Sequence, residues 1–137
     1  MNRDSHSDQQ IVDILSLRTV AVIGMSKHSS KAAHYVPKYL IDSGYDVTPV
    51  NPTADKILDI VCYGSISEID GPVDIIDVFR PSDQISSIIH DCIKKKPKVI
   101  WLQEGIHDFE SEELARKSGI TVVFNRCMLA EHRRLAL

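Results

Sequence analysis

Apolar residues fall along this chain in two alternating rhythms. Short unbroken runs at 19–24, 46–51, 73–79, 98–103 and 120–125 have the length and β-branched content of strands buried on both faces. Between them, apolar positions recur every three or four residues at 8–17, from 31 or 32 to 43, from 81 or 82 onward, at 108–118 and at 128–137. That spacing predicts amphipathic helices. Val36, Tyr39 and Leu40 face inward in the second of these and Gly44 stops it, while Pro37 is tolerable only in a first turn or at a mild kink. Ile85, Ile88, Ile89 and Ile93 mark the buried face of the next helix. Asp108 caps the one after it and Gly119 ends it. The segment 53–63 reads as a turn plus an extended piece, and 65–69 as a single helical turn.

Strands alternating with helices predict an α/β, Rossmann-like doubly wound three-layer fold with a mainly parallel sheet of about five strands. Right-handed crossovers place all strand C-termini on one edge, where ligands of such folds bind. The loops converging there are 24–31, 51–53, 79–82, 103–106 and 125–127. One domain spans 9–137, and the polar stretch 1–8 is expected to be a flexible N-terminus.

Composition narrows the function classes. A net charge of −3 gives no electrostatic case for nucleic acid. No apolar run approaches the roughly 18 residues of a membrane span, and residues 1–8 lack the apolar core of a secretory signal. The three cysteines Cys62, Cys92 and Cys127 are odd in number and widely spaced, which fits reduced thiols in the cytoplasm better than disulfides or a metal site.

The run 19–24 ends in Gly24 and opens through Met25, Ser26, Lys27, His28, Ser29, Ser30 and Lys31 into a helix. Such a turn aims backbone N–H groups and a positive helix end at an anion. Hydroxyls and cations (Ser26, Ser29, Ser30, Lys27, Lys31, Lys56) suit a phosphate, although an exposed polar loop with a helix cap explains them too. Only the first glycine of a dinucleotide fingerprint is present, and Asn51-Pro52 stands where NAD proteins place an acidic residue, so NAD is disfavoured. No Ser-His-Asp set, metal cluster or paired carboxylates are evident. Trp101 reads as core, and Asp74 and Asp77 flank an apolar strand with no acid–base partner.

The pieces 21–26, 44–52, 73–80, 99–105 and 125–128, with His132 nearby, occur in an order that resembles the small stand-alone CoA-binding proteins. Their fold also forms the CoA-binding domain of the succinyl-CoA synthetase alpha subunit and of ADP-forming acyl-CoA synthetases. The resemblance covers roughly 10–135 and implies non-catalytic binding of coenzyme A or an acyl-CoA. It implies that Gly24, Met25, Ser26, Lys27, Ser29 and Ser30 hold the pyrophosphate, and that Asn51, Pro52 and the stretch to Lys56 border the 3′-phosphoadenosine. By the same resemblance Phe79, Arg80 and Pro81 line the adenine or ribose side, and Gln103, Glu104 and Gly105 meet the pantetheine arm. Asn125, Arg126 and Cys127 then close the far edge. Arg80, directly after a strand at that edge, is the polar residue most expected to touch ligand. Cys127 beside Arg126 is either a low-pKa thiol able to form a mixed disulfide with CoA or, the reading favoured, a small core residue. Two rival readings stand beside this one: a small NAD(P)-type oxidoreductase, and a ligand-free scaffold subunit serving as a homodimer or beside an unidentified protein partner.

Overall fold

The computed structural model describes residues 2–137. Its central sheet comprises β1 (Thr19–Ile23), β2 (Asp46–Val50), β5 (Ile75–Val78), β6 (Val99–Leu102) and β7 (Thr121–Val123), in the order β2-β1-β5-β6-β7, with every pairing parallel. A short antiparallel hairpin, β3 (Lys56–Ile57) and β4 (Ile60–Val61), interrupts the path from β2 to β5. Its turn residues Leu58 and Asp59 both have positive φ, 52° and 62°, which matches the twist of a tight hairpin.

Two apolar layers enclose the sheet. Ile11, Val36, Leu40 and Met128, from α1 (Asp8–Leu15), α2 (Ala32–Asp42) and α5 (Met128–Arg134), pack with Val20, Val22, Ile75 and Trp101 on one face. Ile85, Ile89, Cys92 and Ala115, from α3 (Ile85–Lys94) and α4 (Phe109–Lys117), pack with Ala21, Ile76, Ile100 and Val122 on the other. Every residue of β5 and β6 is buried, the physical reason these strands read as continuous apolar runs rather than alternating ones. The arrangement is an α/β, Rossmann-like doubly wound fold, as the alternation predicts.

Because β1 lies between β2 and β5, the chain winds outward from it in both directions. A crevice opens at the carboxyl ends where the winding reverses.

One expectation needs correction. Residues 2–7, expected to fray, are tied down: Asp4 accepts from the Phe124 N–H at 3.0 Å and pairs with Arg126 at 2.8 Å, and His6 Nε2 donates to the Val122 carbonyl at 3.0 Å. Side chains of this segment thus cover the otherwise open edge of β7, the kind of protection a sheet edge needs. Ser7 adds a capping box on α1 with Gln10. Pro37 lies beyond the first turn of α2, whose N-cap is Lys31. The carbonyl it leaves without a helical partner, that of Ala33, accepts the Ser26 N–H at 3.0 Å.

Candidate functional site

Gly24 follows β1 in the left-handed region, φ +84°. A Cβ there would stand 2.9 Å from the Phe79 carbonyl oxygen and 2.9 Å from Arg80 Cδ. Only glycine lets the loops after β1 and β5 approach this closely. Backbone bonds from Gly24 to Val50 and from Phe79 to Ile23, at 3.0 and 2.9 Å, carry the strand pairing up to the rim.

Asn51 then locks two loops at once. Its Nδ2 donates to the Met25 carbonyl at 2.8 Å, while its Oδ1 accepts from the Thr53 N–H at 2.8 Å and the Thr53 hydroxyl at 2.9 Å. The Ser26 hydroxyl accepts the His28 N–H at 3.1 Å, closing the loop ahead of α2. These bonds preorganise the rim before any ligand arrives.

The crevice they frame has a volume of about 580 Å³, within the range of small-molecule and cofactor sites. Ile23, Val50, Ile66 and Ile88 form its apolar floor, and Ser26, Lys31, Asn51, Thr53, Ser65 and Arg80 its polar rim. Arg80 Nε donates to Gln84 Oε1 at 2.9 Å, and Nη2 reaches the same oxygen. No carboxylate neutralises that guanidinium among the described residues. An apolar slot with cations at its mouth suits a ligand with a flat or apolar body and an anionic group.

Of the residues expected from sequence, Gly24, Met25, Ser26, Asn51, Pro52 and Arg80 line this crevice. Met25 is fully buried, so its side chain serves the core. Lys27, Ser29 and Ser30 stand exposed on the loop, and Lys56 lies on the hairpin; none lines the crevice. Gly64, Ser65, Ile66, Gln84, Ile88 and Asp91 line it without having been expected. Ile88 read as helix core and Ser65 as an isolated turn. Only the folded path brings 64–66 and α3 against the end of β2, through the Tyr63–Pro49 and Asn51–Tyr63 backbone bonds.

The other expected residues, outside this crevice, follow the sheet edge. Phe79 is half-buried against the α1/α2/α5 layer and Pro81 is exposed at the start of the next helix. Gln103 is buried and donates to Asp77 Oδ1 at 2.6 Å. Glu104 and Gly105 are exposed, and the Gly105 N–H donates to Asn125 Oδ1 at 2.7 Å. Arg126 is nearly fully buried and already spoken for by Asp4 at 2.8 Å and Glu131 at 3.6 Å.

The low-pKa reading of Cys127 does not hold. Burial pushes the thiol up, the N–H groups of Ala130 and Leu129 only partly offset this, and the negative charges of Asp77 and Glu104 push it further. A thiol held protonated is a poor nucleophile, which leaves the core reading.

Asp77 is the residue the sequence hid. It is completely buried, its Oδ2 has no hydrogen-bond partner, and burial lifts its pKa to about 7 against the opposing pull of Gln103. Ser82, His107 and Glu112 come together near the same edge, but Ser82 Oγ accepts from the His107 backbone N–H rather than meeting its ring. The ring instead bonds Glu112 through Nδ1 at 2.6 Å, so no nucleophile–base pair is assembled. Among the described residues no cluster of His, Cys, Asp and Glu could hold a metal, and no helix is long and apolar enough to cross a membrane.

A preorganised glycine turn beside an apolar slot at the switch point defines a nucleotide-type binding domain. The chain belongs to the CoA binding domain family, whose model matches residues 18–133. It is 35% identical to the uncharacterized protein YneT of Bacillus subtilis, over 92% of this chain and 94% of that one. A hypothetical protein from Pyrococcus horikoshii superposes with a TM-score of 0.93 at 34% identity, covering 97% of this chain and 94% of that chain. The ADP-forming acetate–CoA ligase of Methanocaldococcus jannaschii is 27% identical over 88% of this chain, which spans only 18% of the ligase.

Proposed function

We propose that this protein binds coenzyme A or an acyl-CoA, without catalysing a reaction on it, in the crevice between the ends of β1, β2 and β5. The observation that carries the reading is the Gly24 turn, pressed against Phe79 and Arg80 where no Cβ fits, with Lys31 and Arg80 at the mouth of an apolar slot. Cations at the rim suit phosphates, and the slot over Ile66 and Ile88 suits an aromatic base. Membership of the CoA binding domain family supports the choice of ligand, and the Ser82 hydroxyl, which accepts from the His107 backbone N–H while the His107 ring bonds Glu112, fits a binding role.

Calorimetric titration of the reduced protein with CoA, dephospho-CoA, ATP and NAD⁺ tests this. The expected result is saturable CoA binding that weakens in Arg80→Ala and with dephospho-CoA. Heat from NAD⁺ alone would favour an oxidoreductase instead, and no heat from any of the four would favour a scaffold.

A further inference from the structure

A second hollow, of about 370 Å³, lies at the opposite end of the sheet, where Arg18 precedes β1 and Tyr45 precedes β2. Its walls are an aromatic trio: the His132 ring meets Tyr39 edge-on at 5.3 Å and Tyr45 at 5.9 Å between centroids. Val12 and Leu15 of α1 contribute apolar surface. His132 lies near the last of the pieces that carry the family resemblance. In the fold it is buried and far from the crevice, with its Nδ1 2.7 Å from the Tyr39 hydroxyl. That bond leaves Nε2 as the polar atom of the ring still to be used.

Two charged groups border this hollow, Arg18 and the carboxylate of Leu137, and they form no ion pair with each other. The Arg18 guanidinium lies 4.9 Å from the centre of the Tyr45 ring and pairs with no carboxylate among the described residues. Burial and the nearby Arg18 charge both hold His132 toward its neutral form. An aromatic box ordinarily attracts a cation, but here Arg18 already occupies one ring face and would repel a second. Arg18 is the group in the box without a counter-charge within ion-pair distance. Its size sits near the small end of ligand sites, and its apolar walls favour a tail over a bare inorganic ion.

We propose that this hollow binds a small monocarboxylate with an apolar tail, its carboxylate meeting Arg18 and the His132 ring and its tail lying on Val12 and Leu15. The site is independent of the CoA reading, being built at the other end of the strands from different residues.

Titration of the reduced protein with hexanoate, followed by NMR on the His132 ring protons, tests it, with hexylamine and inorganic phosphate as comparators. Saturable hexanoate binding in the millimolar range is expected, with no response to hexylamine and weaker response to phosphate. Arg18→Gln, a change at an exposed side chain, should weaken hexanoate by about tenfold, the size expected for a lost charge-assisted bond, with an unchanged thermal midpoint checking that the variant is folded. Hexanoate should leave the calorimetric titration with CoA unchanged. No saturation, equal binding in Arg18→Gln, phosphate binding as tightly as hexanoate, or competition with CoA would each overturn the assignment.

Discussion

Ser26 donates its backbone N–H to the carbonyl of Ala33, at 3.0 Å, and accepts in return a bond from His34 Nδ1 at 2.7 Å on its own carbonyl. The first bond depends on a residue that is neither its donor nor its acceptor. Pro37 stands four positions after Ala33 and has no N–H to give, and its ring forces the carbonyl off the helix axis. A proline that looks misplaced inside α2 thus frees an acceptor, and the loop after β1 is anchored to it.

Pro37→Ala therefore separates stability from loop order. Proline in a helix interior costs about 3 kcal/mol relative to alanine, so the variant should melt no lower than the parent despite losing some buried ring contact. The new N–H draws the Ala33 carbonyl back into the helix. Amide hydrogen exchange at Ser26 should then accelerate, and CoA affinity should fall several-fold. A Ser26 amide protected as before would show that the loop holds without α2.

Gly24→Ala meets two obstacles at once. The left-handed backbone costs a residue with a side chain about 1 kcal/mol, and the new Cβ would press on the Phe79 carbonyl at 2.9 Å, a main-chain atom that cannot swing aside. A total loss of roughly 2–4 kcal/mol is expected, the range of strained backbone plus overpacking. Thermal unfolding reads it as a clearly lowered midpoint, and CoA titration as lost binding even at temperatures where the variant stays folded. Gly44→Ala is the control, since it has a similar φ of +96° but nothing within 4 Å, and should lose only the backbone share.

How much of this was legible depends on how far apart the partners lie. The order of strands and helices was legible because β5 and β6 are buried on both faces and so carry unbroken apolar runs. Arg80 was legible because it directly follows a strand. The hairpin at 56–61 was not, since its turn uses Leu58 and Asp59 where glycine or asparagine would have announced it. The partnership of Arg126 with Asp4 spans 122 positions, so Arg126 read as part of the far ligand edge and residues 1–8 as a loose end. Asp77 looked like a polar flank of an apolar strand, because nothing in its neighbours shows that its side chain faces Trp101 and Gln103 rather than water.

Asp4→Ala should be costly for so peripheral a position. Its carboxylate lies buried against Arg126, and removing one partner of a buried pair typically costs about 3–5 kcal/mol. The low end is expected, because Glu131 remains 3.6 Å from Arg126. Burial alone would raise the Asp4 pKa, but hydrogen bonds from Arg126 and from the N–H groups of Phe124 and His6 outweigh it and hold the carboxyl below 3.8. The folded state thus binds this proton less readily than the unfolded chain, so the stabilisation is present above 3.8 and is lost as pH falls through the lowered value. Urea unfolding near neutral pH and again in acid should show a gap between parent and variant that closes in acid. A gap that persists there would locate the cost in packing instead.

Asp77 carries the opposite sign. Its pKa rises from 3.8 to about 7 because the carboxyl is completely buried and only Gln103 supports its charge, through Oδ1. The unfolded chain gives up this proton near 3.8, whereas the folded chain keeps it to about 7. Between those values the native state holds more protons, so stability falls as pH rises and the loss is complete once pH passes the folded pKa. Asp77→Asn keeps the shape and the acceptor for Gln103 but cannot ionise. Its stability relative to the parent should rise between pH 4 and pH 8, by up to about 4 kcal/mol if the full shift is expressed, on top of a pH-independent cost for its unpartnered NH2. Urea unfolding across that range measures the difference directly. A gap between parent and variant that does not change from pH 4 to pH 8 would mean that ionised Asp77 finds a second partner for Oδ2, drawing in water or shifting the residues packed over it.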